Sequence, residues 1–265
     1  MYLNIHHETR YRFETGVQYG LQQLRMTPKS SHQQQVVAWQ TRVVGGVNEL
    51  HFEDHHHNTV ELISFASATE ELVLIGEGQV RITDTNGIVG RHRGPAPLWL
   101  YEQITPRTRA DAGVRDLLRE LPKGDALDRL HNLSQLIREQ IAFEVGVSCT
   151  DWGAEEVIAA GKGVCQDHTH VFLACARKMG FPARYVSGYL MLNDRSSQVA
   201  MHAWAEVHLD GLGWVGFDIS NGISPDTRYV RVATGLDYRD AAPVSGSRIG
   251  GMGETLSVSI DVVQQ

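Results

Sequence analysis

At 265 residues the chain is long for one compact domain and comfortable for two, and 42% hydrophobic with 21% charged residues is ordinary globular composition. Twenty-four Lys and Arg against 31 Asp and Glu give a formal charge of -7 with no long run of either sign, which speaks against a nucleic-acid footprint or a basic membrane-binding face. Three cysteines, Cys149, Cys165 and Cys175, are odd in number and lack C-x-x-C spacing, so neither a disulfide framework nor a cysteine-rich zinc site is expected.

The opening MYLNIHHETRYRF is polar and alternating, and no run approaches the ~20 apolar residues of a membrane span. A cytoplasmic setting with reduced thiols is expected. From Tyr2 to about Ile82 period-two patterning recurs, through Leu3, Ile5, His7, Thr9, Tyr11 and Phe13 and then QVVAWQTRVV, TVELISF and ELVLIGEGQVRIT, separated by turns such as VGGVNE and DHHHNT. This predicts an N-terminal antiparallel, sandwich-like β domain. His55, His56 and His57 sit in the second of those turns; such a cluster can bind metal but more commonly forms a solvated loop tip, and no metal site is assigned.

The Gly-, Pro- and Arg-rich stretch TNGIVGRHRGPAPLWLYEQITPRTRAD reads as a connection, with a domain boundary near residue 100, dividing 1–100 from 101–265. Leu127, Leu130, Leu133, Ile137 and Ile141 then recur every three or four positions, the stripe of an amphipathic core helix. A shorter helix is expected from an N-cap at Thr150 to a stop at Gly161, and a third from Cys165 to Met179, ended by Gly180 and Pro182. Afterwards the period returns to two in ARYVSGYLML, MHAWAEVHL, WVGFDI and ETLSVSIDVV. Helices followed by strands make the second part an α+β core, with the last strands assigned to it.

In GKGVCQDHTH, Gly161 and Gly163 allow a sharp turn into a helix whose first turn holds Cys165. Unpaired N–H groups and the positive end of the macrodipole there favour a thiolate and can hold an oxyanion, while Asp167 opposes a nearby anion, so a histidine partner is needed. On these residues alone Cys165 is a nucleophile, a metal ligand or packing. His168 and His170, two residues apart on a helix, point to different faces, which makes shared ligation of one metal geometrically poor; His168, three positions after Cys165, lies beside it as a pocket-lining or half-buried residue. Cys175 in VFLACARKMG fits plain packing.

His202 opens a strand that puts His202, Trp204 and Glu206 on one face. After the LDGLGW turn the return strand carries Trp214, Gly216 and Asp218 on one face. A three-residue loop, Asp210 to Leu212, places Leu209 opposite Gly213 and Trp204 opposite Asp218, which brings Asp218 diagonal to His202 at roughly 7 to 8 Å between backbones. A loop of two or four residues points Asp218 away unless a bulge restores the parity.

With those residues in view, GKGVCQDHTHVFLACARKMGFPARYVSGYL and MHAWAEVHLDGLGWVGFDISNG closely resemble the catalytic core of the transglutaminase-like superfamily, with its Gly-x-Cys helix start, His-Ala-Trp strand and Trp-x-x-x-Asp strand. The stretches HETRYRF and YGLQQLRMTP, and the tail ISPDTRYVRVATGLDYRDAAPVSG, are similar to the bacterial branch of transglutaminase-like cysteine proteases. The resemblance implies a papain-like plan, an active-site helix on an antiparallel sheet, with Cys165 as nucleophile, His202 as base and Asp218 as its orienter. The implied chemistry is acyl transfer through a thioester on amide bonds of a peptide or protein, hydrolytic by preference because nothing in the sequence marks an amine site. A transglutaminase and a non-catalytic binding module on the same scaffold are the alternatives. The Cys165 N–H is one oxyanion donor, and Gln166 or Trp152, the latter read as lying on the preceding helix, is a candidate for the other. No cofactor is implied, and without an Asp-x-Asp-x-Asp loop no calcium dependence is expected.

Overall fold

Burial alternates along Tyr2–Leu24, which forms a single 23-residue strand, β1, about which the first sheet is built. The computed structural model describes residues 1–265. Following β1 are β2 (Gln34–Val44), β3 (Gly46–Glu53), β4 (Thr59–Phe65), β5 (Thr69–Ile82) and β6 (Ile88–Gly90). The helical part comprises α1 (Ala112–Glu120), α2 (Ala126–Gln140), β7 (Ala142–Phe143), α3 (Ala154–Ala160), β8 (Lys162–Gly163) and α4 (Cys165–Lys178). The chain ends with β9 (Ala183–Leu190), β10 (Ser197–Gln198), β11 (His202–Leu209), β12 (Gly213–Phe217), β13 (Tyr229–Gly235), α5 (Tyr238–Ala241), β14 (Val244–Gly250) and β15 (Thr255–Gln264). It is a mixed α+β fold of mostly antiparallel sheets, and no helix is long and apolar enough to cross a membrane.

Leu3–Arg12 of β1 pairs with β5 on one edge and β15 on the other. Beyond a register shift after Arg12, the same strand is flanked by β14 and β4. The two leaves thus share β1 and close on Phe13, Val17, Leu24, Ile63, Leu72 and Leu74, as the alternation predicts. The C-terminal strands, expected with the core, belong here instead. Each half of β1 offers a second edge, and Ile260 and Val262 of β15 have an apolar cluster to enter beside Leu3 and Ile5. In the other direction β6, which precedes residue 100, pairs with β12 of the core.

The second sheet runs β13-β9-β11-β12-β6. One face takes the helices: Leu130, Leu133 and Ile137 of α2 and Val171 and Phe172 of α4 share a core with Ala203, Ala205 and Val207 of β11. On the other face Tyr189, Val230 and Val232 meet Leu3, Ile5 and Val80 of the first sheet. All eight residues of β9 are buried in consequence. Helix α2 starts where the stripe predicts, with the Asp125 carboxylate accepting Asp128 N–H at 2.9 Å. For α3 the N-cap is Gly153, whose N–H is taken by Glu156 at 3.1 Å; Thr150 lies in the preceding turn, and Trp152 is outside the helix. Glu155 of α3 caps α1 from across the fold, accepting the N–H groups of Asp111, Gly113 and Val114 at 2.7, 2.9 and 3.1 Å.

Where the sheets meet, polar groups are paired. Gln34 bridges to the main chain of Arg231, and Asn58 to that of Thr234. His56 turns inward to the Tyr101 hydroxyl at 3.1 Å while His57 turns out to Glu53, so the histidine turn plugs the fold rather than converging. Lys29 donates to the His56 carbonyl and the Thr234 hydroxyl, and burial, with Arg231 and Arg184 adding to it, lowers its proton affinity far below that of an ordinary lysine. Fully buried Glu206 accepts from Arg184 at 2.6 Å and Arg231 at 2.5 Å. Burial opposes its ionisation, but Arg231 and Arg184 outweigh it and hold the carboxyl at about 2.

Glu206→Gln leaves buried guanidinium charge uncompensated and should cost about 3–5 kcal/mol in chemical denaturation. Because the carboxyl is depressed to about 2, its contribution is complete above the ordinary glutamate range and is lost only as pH falls toward that value. The deficit of the variant should therefore be equal at about pH 5 and about pH 8.

Candidate active site

Gly161, at φ 64°, stops α3 in the left-handed conformation and turns the chain toward α4. A Cβ at Gly163 would stand 2.7 Å from the Asp167 side chain, so the second glycine lets that carboxylate fold back on the helix start. There Asp167 accepts the Val164 N–H at 2.8 Å and the Ser148 hydroxyl at 2.6 Å, which engages the charge that opposes a thiolate. Cys165 follows as the first helical residue, half-buried against the helix-side core, with its carbonyl accepting the Thr169 hydroxyl.

The β11–β12 hairpin has the odd register: Leu209 pairs with Gly213, Val207 with Val215 and Ala205 with Phe217 around the three-residue turn. Asp218 therefore emerges from β12 on the face of His202, and its Oδ2 accepts His202 Nε2–H at 2.6 Å. Cys165 lies near enough to the same ring to raise its proton affinity. Burial works against a charged imidazole here, but Cys165 and Asp218 together raise His202 to about 10, the signature of an imidazolium held between a sulfur and a carboxylate. Helix start, strand and strand end thus place Cys165, His202 and Asp218 near one another, with His202 bonded to Asp218.

Two partners of Asp218 escaped the sequence reading. The Tyr229 hydroxyl donates to Oδ2 at 2.7 Å from β13, and Asn221 donates its side-chain N–H to Oδ2 at 2.7 Å and its main-chain N–H to Oδ1 at 3.2 Å. Burial favours the neutral acid, yet His202, Tyr229 and Asn221 keep Asp218 below the usual carboxylate range. The alternation in YVRVATG was the available signal for a strand beginning at Tyr229; Asn221 carried none.

Other candidates resolve differently. His168 is buried and satisfied on both nitrogens, by the Ile141 carbonyl at 3.1 Å and the Ser220 hydroxyl at 2.8 Å, and burial keeps it neutral. It ties α4 to the turn that follows Asp218. His170 accepts the Tyr238 N–H, and burial lowers it to about 3. Gln166 points to the Thr150 carbonyl and Trp152 rests half-buried on the helix-side core, so no contact marks either as an oxyanion donor. Cys175 is fully buried, which pushes its thiol far up, and Cys149 is exposed.

The family model described as the transglutaminase-like superfamily matches residues 115–219, and that of the bacterial transglutaminase-like N-terminal region matches residues 3–81. An uncharacterized protein of Mycobacterium tuberculosis is 26% identical over 290 residues, spanning 97% of this chain and 91% of the relative. One of Mycobacterium leprae is 22% identical over 276 residues, spanning 99% and 98%. The crystal structure of a "putative cysteine protease" from Cytophaga hutchinsonii superposes with a TM-score of 0.80 at 18% identity, over 99% of this chain and 90% of that one, and shares the fold.

At about pH 6, where an unassisted thiol is almost wholly protonated, iodoacetamide should label Cys165 well before Cys149, with Cys175 silent until unfolding; peptide mass mapping reads the order. His202→Ala should abolish that preference.

Proposed function

We propose that this chain, whose core matches the transglutaminase-like superfamily and whose first part matches the bacterial transglutaminase-like N-terminal region, is a thiol-dependent amidase or peptidase acting on peptide or protein substrates. The observation that supports this most is the His202–Asp218 hydrogen bond set beside Cys165 at the start of its helix.

In the proposed cycle the Cys165 thiolate adds to an amide carbonyl, and the electron pair of the C=O moves to oxygen, where the helix-start N–H of Cys165 meets it. Collapse re-forms the carbonyl and breaks the C–N bond, with the His202 imidazolium giving its proton to the departing amine. A thioester remains. Neutral His202 then takes a proton from water as it attacks, the acid leaves, and the thiolate and imidazolium are restored. Asp218 stays ionised throughout and holds the ring with Nε2 committed, so that the other nitrogen serves sulfur, amine and water in turn.

The test offers an activated ester or a cleavable amide with and without a primary amine at millimolar concentration. Free acid is the expected main product, lost in Cys165→Ala. If the amine conjugate dominates against water at ~55 M, the site confers effective molarity on the amine and the enzyme is a transferase. Failure to turn over a broad peptide library, with no thioacyl adduct on Cys165 by intact mass, would leave the binding module.

A further inference from the structure

We propose that Asn221 is a positioning residue that keeps the Asp218 carboxylate ionised and aimed at His202 by hydrogen-bonding both of its oxygens from the solvent side. The inference rests on the acyl-transfer reading, since it concerns the same imidazole.

Three donors converge on Asp218 Oδ2: His202 Nε2 at 2.6 Å, the Tyr229 hydroxyl at 2.7 Å and Asn221 Nδ2 at 2.7 Å. They differ in what holds them. His202 moves protons, Tyr229 is buried at the start of β13, and Asn221 alone is exposed. Asn221 also reaches the second oxygen through its own N–H at 3.2 Å, so one residue spans the carboxylate. It can do so because the turn is tied at its base. Asp218 N–H donates to the Ile223 carbonyl, and Gly222 and Ile223 N–H donate back to the Asp218 carbonyl. The Asn221 amide nitrogen stands 3.5 Å from His202 Nε2; both are donors, and the carboxylate oxygen between them is what both address. An amide suits this place, because an acid there would repel Asp218 and an apolar side chain would donate nothing.

Removing the amide therefore acts through Asp218. Water competes for the freed lone pair, the buried carboxylate becomes easier to protonate, and the imidazolium that steadies the Cys165 thiolate is held less firmly. The other groups facing this pair do not reverse the direction. Cys165 and His168 come from α4, the latter with its proton affinity lowered by burial; Tyr229 comes from β13; Arg228 is paired to Asp226; Arg138 of α2 lies against Gly222.

The experiment measures the second-order rate of Cys165 alkylation by iodoacetamide from about pH 4 to about pH 10, for wild type, Asn221→Ala and Asn221→Leu, with melting temperatures alongside. Both variants should fold, since the residue is exposed. Both should shift the acid limb of the profile to higher pH, alkylating roughly tenfold more slowly on that limb and converging on wild type above it. A purely structural role would lower the melting temperature, or the rate equally at every pH, and leave the midpoint in place. An unmoved midpoint in either variant overturns the proposal, because Leu retains bulk but no donor. A wild-type profile with no acid-shifted limb would fail the acyl-transfer reading itself, a separate outcome visible before any variant is made.

Discussion

The central sheet is covered on both faces, by helices on one side and by the N-terminal sheet on the other, and no charge that enters it can be left to water. Strand β11 shows how this is met. Its outer face carries His202, Trp204 and Glu206 in succession, so the buried carboxylate and the imidazole bonded to Asp218 are two alternations apart on one rigid element. Glu206 is gripped by Arg184 from β9 and Arg231 from β13, two neighbouring strands of the same sheet. A buried ion pair is weak evidence of added stability, but it is intolerant of a slipped strand. A one-residue slip would unpair Glu206 and turn His202 from Asp218 together.

The same economy governs the acid. Asp218 and Glu206 are both buried carboxylates, and both are kept ionised by donors rather than by solvent. Glu206 meets permanent cations, which fix its charge. Asp218 meets neutral donors and one imidazole, so the cation beside it is one that can give up and regain a proton. One charge is therefore fixed in place, and the other rests on a partner whose own charge can change.

Much of this was legible because it is local. A glycine pair before Cys165, a period-two strand opening at His202 and a three-residue turn are short-range features, and the turn alone sets the face on which Asp218 emerges. What the sequence hid depends on distant partners. Nothing in ETLSVSIDVV says whether it completes the core or lies against residues 3–12, since both sites want the same alternation. The first turn of α1 is capped by Glu155, more than forty residues away, while Asp111 at its own N-cap position makes no side-chain capping bond. His168 was placed beside Cys165 by helical spacing, yet its two hydrogen bonds lead to Ile141 and Ser220, which spacing along one helix does not reach. Tyr229 and Asn221 are of the same kind, ordinary polar residues made specific by what folds against them.

The place of β14 and β15 bears on how such a chain reaches its fold. Leu3 pairs with Gln264, and Leu24 with Val244, so most of one edge of β1 is completed only by strands more than two hundred residues further along the chain. Contacts of that sequence separation are entropically slow to form, and an open strand edge is a template for the wrong neighbour while it waits. The core from α1 to β13 needs no such delay for its hairpin or its helices. The edge of β1 therefore waits on β14 and β15, and the arrival of β15 also buries Ile260 and Val262 against the back of the second sheet.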